Sequence, residues 1–201
     1  MTLDNIKDKS KLNGPSTRRT QFERRAVTRG AILDSATELF GKYGFGKTSL
    51  EQIASNCNIT TGPIYHYFSS KKDLFKSVVK SLELDYYETL LDFEKKKNVE
   101  NIDVWNSFLE KCFDEEFRQI VLIDSPNILG RDRWADSKIT QKSFQLFFND
   151  ANKNENEKAS LKTRLLIAAL TELAIHVAES PDPASLKDIS REVFIELTTI
   201  K

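Results

Sequence analysis

The chain has 201 residues, of which 39% are hydrophobic and 30% are charged, and it contains only seven glycines and five prolines. This composition excludes wholesale disorder and disfavours a fold of short strands, so it favours long helices. The formal net charge is zero, yet residues 1–80 carry 14 Lys and Arg against 7 Asp and Glu, whereas residues 81–201 carry 16 against 23. The basic first part indicates a polyanionic partner.

Three features bear on where the protein resides. Residues 1–20 lack the apolar core of a signal peptide, and the longest apolar run, residues 165–170, is far too short to span a membrane. The two cysteines, Cys57 and Cys112, lie in apolar helical patterns and form no disulfide framework. We therefore expect a cytoplasmic protein without a membrane partner.

The first part of the chain predicts a flexible arm followed by four helices. Residues 1–25 are polar and basic without helical periodicity, and the first helix is predicted from Thr28, where apolar residues begin to recur at helical spacing. Three glycines between residues 41 and 46 mark its end. The next three helix starts are Ser49 with Gln52, Thr60 or Thr61, and Ser70 with Asp73. Pro63 falls in the first turn of the third helix, where proline is tolerated.

The remaining chain also predicts helices only. An apolar stripe runs from Trp105 to Ile120, and amphipathic or apolar helical patterns cover residues 134–148, 161–178 and 186–200. No segment shows a convincing strand pattern. We therefore predict an all-α protein, with an N-terminal three-helix helix-turn-helix domain in residues 26–82. A C-terminal helical ligand-binding and dimerisation domain is predicted for residues 83–201.

The second and third predicted helices are short and are joined by a tight turn, which is the outline of a helix-turn-helix. The third would then lie in the major groove of DNA. Its first residues, Thr60, Thr61 and Gly62, are small and would let the backbone approach a phosphate. Tyr65 supplies a hydroxyl or a flat face, and Lys71 supplies a cation for a phosphate contact.

Residues 29–75, RGAILDSATELFGKYGFGKTSLEQIASNCNITTGPIYHYFSSKKDLF, resemble the DNA-binding domain of the tetracycline-repressor-like (TetR) family of transcriptional regulators. Four helix motifs match together. The resemblance implies that the residues facing DNA are Thr60, Thr61, Gly62, Tyr65 and His66. It also implies that Thr48 or Ser49, together with Lys71, holds the flanking phosphates. Asn58 replaces the family's usual glycine, and Pro63 replaces a small residue, so the operator sequence does not follow from relatives.

The last two predicted helices form a candidate dimer interface. Apolar residues lie nearly all round the 161–178 helix, which therefore needs cover on two sides. A homodimer packed across a two-fold axis supplies that cover, and the family resemblance implies the same arrangement. The alternative is that both helices are internal to a monomer. The predicted interface residues are Leu165, Leu166, Ala169, Leu173, Val193, Phe194 and Leu197.

Aromatic residues of the second part are either core or the lining of a cavity for an apolar or aromatic effector. The candidate ligand-binding residues are Trp105, Phe108, Cys112, Phe113, Phe117, Trp134 and His176. Cys112 is also a candidate redox sensor. The segment DSPNILGRDRWAD, residues 124–136, resembles a signature of part of the family, and we predict that it lies where the sensor meets the DNA-binding domain.

The sequence thus predicts a ligand-responsive, sequence-specific DNA-binding regulator, most simply a repressor that a small molecule releases from its operator. It shows no glycine-rich phosphate loop, no metal-spaced His and Cys set and no nucleophile elbow, so we expect neither an enzyme nor a metal or cofactor. The alternatives are a helical protein-interaction scaffold and a small helical enzyme without DNA specificity. The effector and the regulated genes do not follow from the sequence.

Overall fold

The computed structural model describes residues 20–96, 98–130, 137–148 and 157–199. Every regular element in these ranges is helical, which confirms the predicted all-α class. The elements are α1 (Gln21–Lys47), α2 (Leu50–Asn56), α3 (Thr61–Tyr67), α4 (Lys71–Lys95), α5 (Asn101–Phe113), α6 (Glu115–Phe117), a π-helical stretch (Arg118–Asp124), α7 (Ser125–Leu129), α8 (Lys138–Phe148), α9 (Glu157–Glu179) and α10 (Pro183–Thr199). None of the described helices combines the length and apolar character that crossing a bilayer requires.

Helix α1 begins at Gln21, seven residues before the predicted start, so the predicted arm extends too far. Its N-cap is Thr20, whose hydroxyl accepts a hydrogen bond from the Glu23 backbone N–H while the Glu23 carboxylate accepts one from the Thr20 N–H. The first turns of α1 are exposed, and their apolar residues Phe22 and Val27 do not form a buried stripe. The capping box at Thr20 and Glu23 was the available signal. Thr28 lies inside the helix, where its hydroxyl donates to the Arg24 carbonyl.

The predicted starts of α2, α3 and α4 are confirmed. Ser49 and Gln52 form a reciprocal capping box, Thr60 is the N-cap residue of α3, and Ser70 accepts a hydrogen bond from the Asp73 backbone N–H at 3.1 Å. Asn58 lies between α2 and α3 with φ 55°, the left-handed conformation that asparagine tolerates better than most residues. Local signals therefore determine these three helix boundaries.

The apolar stripe from Trp105 to Ile120 was predicted to continue without a break, but it is divided at Asp114. The Asp114 carboxylate accepts hydrogen bonds from the backbone N–H groups of Glu116 and Phe117, so it ends α5 and caps the next helix. The chain then continues as the π-helical stretch, which runs directly into α7. π-helical segments are rare and often occur at functional sites.

Helix α1 packs closely against α6, and this contact joins the two predicted domains. A Cβ built on Gly41 would lie 2.8 Å from Glu116 Cγ and 3.0 Å from Glu116 Cα, so no larger residue fits there without movement. Buried apolar residues of both predicted domains belong to one continuous core. The helix-turn-helix is thus fixed to the rest of the protein through α1 and α4.

Candidate nucleic-acid interface and its link to the sensor region

Helix α3 has one buried side and one exposed side. Ile64 is fully buried in the core beneath the helix, which orients the opposite face outward. On that face Tyr65 is 58% exposed and His66 is exposed, and His66 lies edge-on to the half-buried Tyr67 ring at 5.1 Å. Thr60 and Gly62 are exposed at the N-terminal end, and Thr61 is half-buried. Five of the predicted contact residues therefore lie either at the N-terminal end of α3 or on its outward face.

Gly62 is not required by the packing of the protein. A Cβ added to this residue would meet nothing nearer than Thr60 Oγ1 at 3.8 Å, which is ordinary van der Waals contact. The absence of a side chain at position 62 instead leaves the backbone at the start of α3 open to a close approach from outside. The Thr60 hydroxyl also makes no capping hydrogen bond to α3.

Lys71, at the start of α4, is held beside an aromatic ring. Its Nζ atom lies 4.2 Å from the centroid of Phe45, which itself packs edge-on against Phe75 at 4.9 Å. Partial burial against this cluster lowers the pKa of Lys71, and the negative charge of Asp124 opposes that shift. The cation–π contact fixes the direction of the lysine side chain.

The two predicted phosphate contacts at the end of α1 differ in accessibility. Thr48 is buried, and its hydroxyl donates to the carbonyls of Leu39 at 3.0 Å and Gly44 at 2.9 Å. The structure therefore removes Thr48 from the candidate interface, because its side chain closes the turn after α1. Ser49 is half-buried at the N-cap of α2, where its Oγ accepts from the Gln52 N–H at 3.2 Å.

A hydrogen bond between distant residues connects this region to the π-helical stretch. The Phe45 backbone N–H donates to Asp124 Oδ2 at 2.7 Å across 79 residues of sequence. Gly44, immediately before Phe45, adopts φ 76° and kinks the end of α1 toward Asp124. Sequence reasoning placed the segment from residue 124 near the DNA-binding domain but missed Phe45, since nothing local indicates its partner. Residues 131–136 of that segment lie outside the described residues.

The predicted ligand-binding residues pack mainly as core. Trp105, Cys112 and Phe117 are fully buried, and Phe108 and Phe113 are half-buried against them. Burial raises the pKa of the Cys112 thiol to about 12, although nearby Arg118 lowers it slightly. This position is unsuited to a redox sensor, because reactivity requires the thiolate. His176 lies on the exposed side of α9, and Trp134 falls outside the described residues.

The predicted interface residues on α9 and α10 divide into three groups. Leu165, which is 71% exposed, and Ala169 face outward, whereas Leu166, Leu173, Val193 and Leu197 are half-buried. Phe194 is a correction, because it is 1% exposed and stacks on the Trp105 ring at 5.2 Å. The structure adds three exposed apolar residues that were not predicted, Leu161, Ile189 and Ile195.

Comparison with known proteins identifies the family. Residues 32–78 match the model of bacterial regulatory proteins of the tetR family, and residues 101–199 match the tetracyclin repressor-like C-terminal domain. The chain belongs to the TetR family. On the structure, the TetR N-terminal match runs from within α1 to the first part of α4, and the C-terminal match covers α5 to α10.

Curated TetR-family relatives match a little less than half of the chain. The biofilm operon icaADBC HTH-type negative transcriptional regulator IcaR of Staphylococcus aureus is 36% identical over 90 residues, which are 44% of this chain and 48% of IcaR. The HTH-type transcriptional regulator AcrR of Shigella flexneri is 33% identical over 99 residues, or 47% of this chain and 46% of AcrR. The chain thus spans about half the length of the curated relatives it matches.

Solved structures support the TetR fold over most of the chain. A TetR-family transcriptional regulator from Pectobacterium atrosepticum has a TM-score of 0.59 at 22% identity and covers 89% of this chain and 95% of its own. A transcriptional regulator from Aquifex aeolicus has a TM-score of 0.60 at 22% identity, with 85% and 99% covered. At these identities the similarity shows the fold alone.

Proposed function

We propose that this TetR-family chain is a cytoplasmic, homodimeric transcriptional repressor that binds a DNA operator and is released by a small-molecule effector. The observation that carries the proposal is the outward face of α3, where Thr60, Gly62, Tyr65 and His66 are exposed above the buried Ile64. A helix with this division fits the major groove with its polar side while its apolar side stays in the protein.

Several residues around α3 support DNA as the partner. Ser49 and Lys71 lie at the starts of the two helices that flank α3, where a hydroxyl and a cation suit phosphate oxygens. Gly62 leaves the backbone accessible, although the packing of the protein does not require a glycine there. The basic excess of residues 1–80 adds a long-range attraction to the phosphate backbone.

The proposed dimer rests on the exposed apolar residues of α9 and α10. Leu165, Ile189 and Ile195 are each at least half exposed in the single chain, and leaving them in water forfeits hydrophobic stabilisation. Packing α9 and α10 against a second copy would bury them. A two-fold dimer would also present two α3 helices to successive major grooves.

The proposal is tested by measuring binding to the DNA upstream of the chain's own gene over a salt titration. We expect nanomolar, salt-sensitive binding that exceeds binding to scrambled DNA of equal length. Tyr65→Ala should weaken specific binding by at least about tenfold, because the residue lies on the proposed base-reading face. Tyr43→Ala is the matched control, since Tyr43 is 46% exposed but lies on α1. Equal weakening by both variants would contradict the role of α3.

A further inference from the structure

A cavity of about 390 Å³ lies between the π-helical stretch, α7 and α9. One wall comes from that stretch and α7, and the other comes from α9. Its apolar lining residues are Leu122, Ile123, Pro126, Ile167, Ala168 and Ile175. The volume is within the range of small-molecule sites, which are mostly apolar with a few placed polar groups.

The two charged residues of this cavity lie at separate positions along α9. Arg164 and Glu172 both line it, and they are separated by about 12 Å along the helix axis at 1.5 Å per residue. Thr171 and Asn127 contribute a hydroxyl and an amide. A negatively charged group is therefore favoured at the Arg164 end and disfavoured near the Glu172 carboxylate.

The described residues that line the cavity include no aromatic side chain. Planar aromatic ligands and organic cations gain much of their affinity from stacking and cation–π contacts, which these described lining residues do not offer. Branched aliphatic side chains and one guanidinium suit an aliphatic body that ends in a carboxylate.

We propose that this cavity is the effector site and that it binds an aliphatic carboxylate, with the acidic group at Arg164 and the chain along Ile123 and Ile167. The inference rests on the proposed function, because it names the effector class of the same regulator. It replaces the predicted aromatic lining around Trp105, which is filled by core packing.

The position of the cavity gives its occupant a route to the DNA-binding domain. Leu122 and Ile123 line the cavity, and the next residue, Asp124, accepts the hydrogen bond from the Phe45 N–H at 2.7 Å. The Phe45 ring in turn makes the cation–π contact with Lys71. Any displacement of the π-helical stretch by a ligand is thus transmitted to the end of α1 and the start of α4, which flank α2 and α3.

The test measures binding of decanoate to the full chain by calorimetry in the absence of DNA, with decanol and decylamine as comparators of equal length. We expect saturable binding of decanoate that exceeds that of both comparators. Arg164→Gln should weaken decanoate by at least about tenfold and leave decanol nearly unchanged, because it removes a charge-assisted contact. Ala168→Trp should weaken both ligands by filling the cavity.

Matched controls are Arg191→Gln and Ala184→Trp, which change the same residue types on α10 outside the cavity lining. Decanoate binding that is absent, or equal in the cavity variants and the controls, would overturn the site. Equal affinity for decanol or decylamine would overturn the carboxylate class. Because no DNA is present, either failure leaves the proposed operator binding to its own test.

Discussion

At the scale of single residues, the two cysteines show how burial sets chemistry. Cys112 is fully buried and its thiol has a pKa raised to about 12, whereas Cys57 is half-buried at the end of α2. A thiol with a raised pKa stays neutral at every pH below that value, so Cys112 gains no thiolate at physiological pH.

We expect one thiol per native chain to react with Ellman's reagent at pH 8, and two after denaturation. At that pH only roughly one Cys112 thiol in ten thousand is ionised in the folded state, given the raised pKa. Cys57→Ser should abolish the native reaction and Cys112→Ser should leave it intact. The opposite pattern would contradict the burial of Cys112.

Asp124 stabilises the fold through the acceptor it offers to the partly buried Phe45 N–H. Asp124→Ala leaves that donor without its partner, and we expect a loss of about 1–3 kcal/mol in the free energy of unfolding, measured by urea denaturation. Asp124→Asn retains an acceptor oxygen and should lose clearly less. Equal losses in the two variants would show that the hydrogen bond is not what stabilises this contact.

At the scale of elements, the end of α1 depends on one glycine. Gly44 has φ 76° and ψ 163°, a region that essentially only glycine occupies and that costs a residue with a Cβ about 1–3 kcal/mol. An added Cβ would lie 3.4 Å from Asp124 Oδ2. The kink at Gly44 is what directs Phe45 toward Asp124 and returns the chain to the start of α2.

We expect Gly44→Ala to lower the free energy of unfolding by about 1–3 kcal/mol, because alanine is strained at this φ and ψ. Gly46→Ala, two residues later, should be neutral or slightly stabilising, because a Cβ there meets nothing within 4 Å and φ is not positive. Thermal or urea unfolding of the pair provides the comparison. A larger loss for Gly46→Ala than for Gly44→Ala would contradict this account of the turn.

At the scale of the whole molecule, α9 and α10 hold apolar residues on both sides, and each side has a different role. Phe194 packs inward on Trp105 and closes the core of the single chain. Leu165, Ile189 and Ile195 remain exposed. The inward contacts stabilise the monomer's fold, whereas the outward residues are available for association between chains.

Leu165→Glu should convert the proposed dimer to a monomer with little loss of helicity, because it places a charge on the outward face of α9. Sedimentation velocity and circular dichroism give the two measurements. Leu84→Glu is the control, since Leu84 is 54% exposed on α4 and lies outside both helices. A dimer that survives Leu165→Glu, or is lost equally in Leu84→Glu, would rule out this interface.

The sequence by itself determined the helical class and most boundaries of the helix-turn-helix. These signals act within about four residues: the capping box at Ser49, the N-cap at Ser70, Pro63 in a first turn and Asn58 in the left-handed conformation. Capping hydrogen bonds and backbone preferences involve residues only a few positions apart, so they can be predicted without knowing the tertiary contacts. Thr60, Gly62 and Tyr65 could be named from the local pattern of α3, whereas His66 followed from the family resemblance.

Only the tertiary structure decided which apolar residues are core, exposed or cavity-lining. Leu165 on α9 and Phe194 on α10 both belong to apolar helical patterns in the sequence. Phe194 is nevertheless buried and Leu165 is exposed, because burial depends on which helix packs alongside. Thr48 is not part of the interface, because it is buried and its hydroxyl donates to the carbonyls of Leu39 and Gly44. The Phe45–Asp124 bond and the cavity beside it join residues far apart in the chain, and no local pattern encodes such a pairing.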